Sequence, residues 1–485
     1  MAEIKRSWTL PVVAAAQLLV VLDGTIVNIA LPSAQDELGM TDANRHWAIT
    51  AYLLAFGGLL LIGGRVSGAL GHRRAFATGL IGFAAASALG GLATDPGTLF
   101  GARALQGVFA ALLAPAALAL LTTTYTETRE RGRAFGVFAA IGAAGSAVGL
   151  IAGGLLTEYA DWRWCLYINV PIAALALAGT AMVPRDRPMP QTGRLDVPGA
   201  LLSTAGFAAI VYAFNEAEPR GWDSPYVLGL IAGGAALLAA FVAVERKAAD
   251  PLLPMEVLAH RVRAGAFIAI TLMFLAMFGF YLFMSYYTQA VLGYTPVEAG
   301  MTLIVNAVAA LIGSMLIAGR LFGRVPSAAL ILPGLLGAAA GMLLLTGITA
   351  DTADVLQRHL LPAMVLTGLG LGLVITPTAI LATTGMQGHA IGAASATYNA
   401  AQQLGAALGI ALLNTIATSA ATSFVASHPG AEPDAAAVHG YTTALTVAAG
   451  ILIAAALITA ALLMTRRRQT QAPDERSEEP ALAVR

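Results

Sequence analysis

The feature that most constrains this chain is a succession of fourteen apolar runs, most of them about twenty residues long. They fall at about 10–31, 46–67, 75–93, 98–121, 134–156, 165–183, 198–214, 226–244, 264–290, 300–320, 328–348, 360–384, 392–421 and 442–465. A run of that length, rising ~1.5 Å per residue as an α-helix, spans the ~30 Å hydrocarbon core of a bilayer. Lipid offers the backbone no hydrogen bonds, so only helices and closed barrels cross it. The ~10-residue alternating segments of a barrel are absent. Only 11% of the 485 residues are charged against 58% hydrophobic, and the mean hydropathy is +0.75, too little charge to cover a water-facing surface. The expected fold class is all-α and polytopic. Lys5 and Arg6 precede the first run as in a signal peptide, but the run continues past Asp23 to Leu31 and reads as a retained helix.

Lys+Arg and Asp+Glu balance at 27 each, so net charge points to no nucleic acid and no acidic partner. The lone cysteine, Cys165, allows no internal disulfide. No His/Cys/carboxylate set has metal-ligand spacing, and no glycine-rich phosphate loop is present. With no nucleophile–base pair either, the expectation is a protein that is not an enzyme and carries no cofactor.

The positions of the charges carry more. One set of alternate loops holds Lys5, Arg6, Arg73, Arg74, Arg129, Arg131, Arg133, Arg185, Arg187, Arg194, Arg246, Lys247, Arg261, Arg263, Arg320, Arg324 and Arg466–Arg468. The other holds little more than Arg45, Arg163, Arg220 and Arg358. The positive-inside rule places both termini in the cytoplasm. Between Ser423 and Tyr441 lies the longest external segment, where Pro429 and Pro433 argue against helix. Gly64-Arg65-Val66 at the end of the second run is echoed by Gly319-Arg320-Leu321 at the end of the tenth. If 198–244 is an inserted pair, these positions correspond in two halves. The plan is then a six-helix bundle over 1–190, an inserted pair with its linkers over 191–263, a second bundle over 264–465 and a disordered tail over 466–485.

Charges within a span are costly and face the bundle interior or a water-filled cavity. Asp23 stands thirteen residues beyond Leu10, ~20 Å into the first helix. Arg103 stands seven beyond Pro96 in a helix running the other way. At matched depth the two can pair, either as a structural ion pair or as a proton-releasing carboxylate tuned by a cation. Gly142, Gly145, Gly149 and Gly153 form a stripe on the fifth run, with Gly154 beside it, fit for close packing or for a sliding surface. On the thirteenth, Ser395, Asn399 and Gln402 share a face with Gln403 adjoining; on the ninth, Phe278, Tyr281, Ser285 and Thr288 share one with Gln289 alongside. Such faces, and Asn306 on the tenth run, serve either as core or as the wall of a path for a flat, partly apolar solute.

Leu22-Asp23-Gly24-Thr25-Ile26-Val27-Asn28-Ile29-Ala30-Leu31-Pro32 resembles the first-helix signature of the fourteen-helix drug:proton antiporters of the major facilitator superfamily. Arg103-Ala104-Leu105-Gln106-Gly107 resembles their fourth-helix RxxQG motif. Gly153–Glu158, Trp162-Arg163-Trp164 and Ile168-Asn169-Val170-Pro171 resemble their fifth-to-sixth-helix signature. The resemblance implies two pseudo-symmetric bundles around a central cavity. It implies export of a hydrophobic or antibiotic-like solute in exchange for protons, with Asp23 and Arg103 in proton coupling and Asn28 and Gln106 near the cavity. It also implies a small-molecule substrate; the Ala- and Gly-heavy composition suggests a bacterial source and hence the cytoplasmic membrane, and one chain of this plan can form a complete pathway as a monomer. The loop between the second and third helices departs from the family pattern. Gly64, Arg65, Gly71, Arg73 and Arg74 are in place, but Gly68 stands where the family has aspartate and Ala69 where it has arginine. Leu150 replaces a proline after Gly149, and Gln402-Gln403 replaces Arg-Gln. A proton-coupled importer on the same scaffold is the alternative.

Overall fold

The computed structural model describes residues 2–125, 127–183, 196–248, 251, 259–349, 352, 354–384, 386 and 389–464. The expected disordered tail, Arg185, Arg187, Arg194 and Arg466–Arg468 lie outside the described residues. Among the described residues, fourteen helices account for the fourteen runs. They are α1 Ala2–Leu38, α2 Trp47–Leu70, α3 His72–Gly91, α4 Pro96–Thr124, α5 Thr128–Tyr159, α6 Trp164–Thr180, α7 Val197–Arg220, α8 Pro225–Glu245, α9 Arg261–Val291, α10 Pro296–Leu321, α11 Ala328–Leu343, α12 Leu356–Thr383, α13 His389–Ser427 and α14 Pro433–Met464. Among the described residues eight of them are individually long and apolar enough to cross a membrane, and α2 makes a ninth if its bend is read through. α9, α10 and α12 each contain a short π-helical stretch.

One boundary differs from expectation in kind. The segment Ser423–Tyr441 is largely helix, because α13 runs to Ser427 and α14 begins at Pro433. Proline at a helix start forfeits only an N–H that has no intrahelical partner, so Pro433 opens a helix instead of preventing one. At the other end of the chain α1 runs on to Leu38, through Pro32, and leaves a loop of 39–46.

The helices pack in two sets with the same neighbours. In the first, α1 packs on α4, α5 and α6, α4 on α2 and α3, and α3 on α6. In the second, α9 packs on α12, α13 and α14, α12 on α10 and α11, and α11 on α14. The sets meet where α2 packs on α13 and α5 on α10, a reciprocal arrangement of the kind a pseudo-two-fold axis produces. The pair α7 and α8 packs on itself and, through α7, against α2 and α13. An even number of alternating helices leaves residues 2 and 464 at one face, here the terminal face. The loops 39–46, 92–95 and 292–295 lie at the opposite face.

Candidate functional site

Asp23 and Arg103 meet inside the first set. Arg103 Nη1 donates to Asp23 Oδ2 at 2.7 Å, with 1% and 0% of the two side chains exposed. Isolated burial of either charge costs several kcal/mol, so the remaining lone pairs and protons need partners. Most of them have one. Asp23 Oδ1 accepts from Gln106 Nε2 at 3.0 Å and from Asn169 Nδ2 at 2.7 Å. Arg103 Nε donates to the Ala48 carbonyl at 2.8 Å, Nη1 also reaches Gln106 Oε1 at 2.8 Å, and the guanidinium lies 4.5 Å from the centre of the Tyr52 ring. Gln106 Nε2 completes the node on Ser87 Oγ at 2.6 Å. Five helices meet at this node: α1, α2, α4 and α6 through the carboxylate and the guanidinium, and α3 through the Gln106 amide.

The RxxQG spacing makes this possible. Arg103 and Gln106, three residues apart, project from one face of α4. Gly107 lets that face close on α2, since a Cβ there would stand 2.8 Å from Ala55 Cβ and 2.9 Å from the Phe56 nitrogen. Beside Arg103 a cavity of about 10 Å³, lined by Val27, Ala30, Leu99, Trp162 and Cys165 among others, has room for about one water. Arg103 Nη2, Tyr52 Oη and Asn169 Oδ1 have no hydrogen-bond partner among the described residues. In this conformation Asp23 touches neither bulk water nor any open cavity.

The second set holds an uncharged counterpart. Tyr281 Oη donates to Asn306 Oδ1 at 2.6 Å, and Asn306 Nδ2 donates to Thr367 Oγ1 at 2.7 Å and to the Met364 carbonyl at 3.2 Å. Gly368 brings α12 onto the Asn306 backbone as Gly107 brings α4 onto that of Tyr52. Asn306 is therefore fully engaged within its own set.

Other residues singled out above close the opposite face. Ser285 Oγ donates to the Asn28 carbonyl at 2.6 Å, and Gln289 Nε2 to the Ile29 carbonyl at 3.2 Å, each joining α9 to α1. Glu158 accepts from Val297 N at 3.1 Å, joining α5 to α10. Gly154 faces α10 directly, where a Cβ would lie 2.7 Å from the Pro296 carbonyl oxygen. Gly145, Gly149 and Gly153 face Leu18, Thr25 and Ile26 of α1, while Gly142 lies further back in the same helix. The glycine stripe thus serves two contacts, one within the first set and one across to the second.

The half-buried remainder sits on neighbouring α9 and α13. Phe278 stacks on Phe274 with ring centres 5.8 Å apart and meets Tyr281 edge-on at 6.1 Å. Asn399 Nδ2 donates to the Ser395 carbonyl of its own helix at 3.1 Å, and Gln402 and Gln403 lie one turn on. Thr288 turns back onto the carbonyl of Met284. In the altered loop Gly71, with φ +86, links α2 to α3 in a conformation that favours glycine. Gly64 makes only ordinary contact with Pro115. Arg65 Nη2 donates to the Pro251 carbonyl at 2.6 Å and Arg73 Nε to the Thr180 carbonyl at 2.8 Å, while Arg74 is exposed.

Sequence reasoning assigns no role to Asn169, Tyr52 or Ser87. Asn169 is visible as the polar residue of Ile168–Pro171, whereas Tyr52 and Ser87 are ordinary residues of apolar helices and give no signal. Arg163, by sequence a loop charge, binds Glu37 through Nη1 at 2.6 Å and the Ala93 carbonyl at 3.1 Å. Trp162 Nε1 donates to the same Glu37 at 2.7 Å.

Comparison with known proteins gives the arrangement its context. Residues 13–410 match the model of the Major Facilitator Superfamily. The chain is 54% identical to the puromycin resistance protein pur8 of Streptomyces alboniger over 93% of its length and 90% of the relative's. It is 38% identical to the cephamycin export protein CmcT of Amycolatopsis lactamdurans over 82% of each. A crystal structure of an auto-inhibited peptide transporter of the POT family superposes with a TM-score of 0.69 over 96% of this chain and 97% of that one, at 15% identity, a likeness of fold. This multi-pass membrane protein belongs to the Major Facilitator Superfamily.

Proposed function

We propose that this chain exports an antibiotic or a similar hydrophobic small molecule across the cytoplasmic membrane in exchange for protons, by alternating access. The observation that carries the reading is the Asp23–Arg103 node, a buried carboxylate whose three hydrogen bonds tie α1 to α4 and α6. A proton on Asp23 cancels its attraction for Arg103 and weakens the bonds from Gln106 and Asn169. Rearrangement of the first set is thereby coupled to proton uptake. Two relatives whose names specify puromycin resistance and cephamycin export support the cargo class. The loop-charge bias supports cytoplasmic termini, and with them an opposite face that looks outward.

On this reading the six-helix sets rock as bodies bounded near residues 190 and 264, one chain forms the whole path, and α7 and α8 ride outside it. Cargo meets the half-buried wall of Phe274, Phe278, Asn399, Gln402 and Gln403, which offers aromatic faces and amides. Protons are the coupling ion. In inside-out vesicles with an acidic lumen, puromycin or a related compound added outside should accumulate in the lumen and leave it when the gradient is collapsed. An importer accumulates nothing under those conditions.

A further inference from the structure

The loop 39–46 between α1 and α2 belongs to the first six-helix set, yet its arginine is held by the second. The Arg45 guanidinium lies 3.7 Å from the centre of the Tyr286 ring on α9, and the hydroxyl of Tyr441 on α14 is a hydrogen-bond partner. Tyr286 Oη in turn donates to Gln35 at the end of α1, and Asn414 Nδ2 on α13 donates to the Asp42 carbonyl at 2.8 Å. Three helices of one set thus grip one loop of the other. Arg103 and Arg163, by contrast, find the partners described above within their own set.

We propose that Arg45 is the latch of the outward face: inserted between Tyr286 and Tyr441, its side chain holds this mouth shut and has to leave that seat for the path to open outward. This rests on the alternating-access reading above. Three features distinguish a latch from a permanent tie. First, the contact crosses the boundary between the two sets, where opening must separate surfaces. Second, the charged partner of Arg45, Asp42 at 2.7 Å, is on its own loop and 67% exposed, while the side chain of Arg45 is 4% exposed. Across the boundary the guanidinium is therefore held by a ring face and a hydroxyl, a grip weaker than a buried ion pair and reversible. Third, Nε has no partner among the described residues, so water entering the open mouth would gain a donor that the closed form leaves unused. The matching loop of the second set, 292–295, leads into a smaller clamp of the same sense, where Val297 N donates to Glu158. That clamp carries no buried cation, so Arg45 dominates the closure.

The test is a distance measured by electron–electron resonance between spin labels at Leu92→Cys and Thr349→Cys, two exposed positions on this face in the α3–α4 and α11–α12 connections. The background carries Cys165→Ala, and the protein is full-length in lipid nanodiscs. Arg45→Gln should raise the ratio of long to short distances about tenfold, which is 1.4 kcal/mol by RT ln 10. Tyr286→Leu should move it the same way, and Arg45→Lys should fall between. An unchanged distribution in folded Arg45→Gln and Tyr286→Leu overturns the proposal. If Arg45→Gln does not fold, Tyr286→Leu and Tyr441→Leu decide, since each removes a wall of the seat and leaves the cation. The distances need no cargo, so a failure of puromycin uptake in vesicles would count against the export reading and leave the latch to be judged separately.

Discussion

Replacing Asp23 by asparagine keeps the shape of the side chain and removes its charge, and every group that now contacts it is a donor. Both carboxylate oxygens accept, Oδ2 from Arg103 and Oδ1 from Gln106 and Asn169. The new NH2 group gains an acceptor if the Asn169 amide turns to present its unpartnered Oδ1, so the hydrogen-bond cost is small. The larger cost is Arg103, 1% exposed and left without its counter-charge. Removing one partner of a buried pair typically costs roughly 3–5 kcal/mol, a large share of the ~5–15 kcal/mol that holds a typical protein together. Asp23→Asn should therefore melt markedly lower and fail to transport, which by itself does not separate structure from coupling. The double variant Asp23→Asn/Arg103→Gln does. With both charges gone the unpaired cation disappears, and most of the stability should return, a coupling energy of roughly 2–3 kcal/mol in the double-mutant cycle. A purely structural pair predicts that gradient-driven efflux returns with it. Our reading predicts a well-folded double variant that moves puromycin only down its own gradient. Thermal denaturation in detergent and lumenal accumulation in acid-loaded inside-out vesicles measure the two. Accumulation by the double variant at the parent's level would refute the proton role of Asp23. A single Asp23→Asn variant as stable as the parent would refute the pairing itself.

Three further outcomes are expected. Gly154→Ala places a methyl 2.7 Å from the Pro296 carbonyl oxygen and 2.8 Å from Val297 Cα. Overpacking of roughly 1–3 kcal/mol should push α5 off α10 and lengthen the Leu92–Thr349 label distance; an unchanged distance means the helices yield elsewhere. His46, beside the latch, is held neutral by burial, its pKa pushed down to about 3, while an unfolded chain titrates near the usual 6.5. A depressed value stabilises the fold above pH 6.5 and loses that contribution progressively as pH falls towards 3. From pH 8 to pH 5 the loss is roughly 2 kcal/mol, and His46→Leu should remove that slope from the melting profile. Tyr281→Phe deletes one neutral hydrogen bond, to Asn306, and should lower stability by about 1 kcal/mol while leaving the pH dependence of efflux as it was. A shifted pH profile would place a titrating group in the second set.

The membrane class, the fourteen helical runs and the depth of Asp23 and Arg103 were legible in the chain, because length against bilayer thickness and the cost of charge in lipid act locally. Counting residues from Leu10 and from Pro96 was enough to bring the two charges level, since a helix converts sequence number directly into height. At Ser423–Tyr441 Pro429 does fall in the break between helices, but Pro433 pointed the wrong way, because the effect of a proline depends on whether the N–H it lacks had any use.

Height along a helix does not give the direction in which a side chain points once fourteen helices have packed. The sequence placed Asn306, Ser285, Gln289 and Gln106 on candidate cavity faces. The packing turns all four onto internal acceptors and leaves Phe278, Asn399, Gln402 and Gln403 half-buried. It also reassigns Arg45, which in the sequence is one more loop charge. Its neighbours Tyr286 and Tyr441 stand hundreds of residues away on the other set. That two spanning helices hold an acid and a base at matched depth came from the order of residues alone. How the fold shuts Asp23 away from solvent depends on contacts between distant segments, which exist only after the helices have come together.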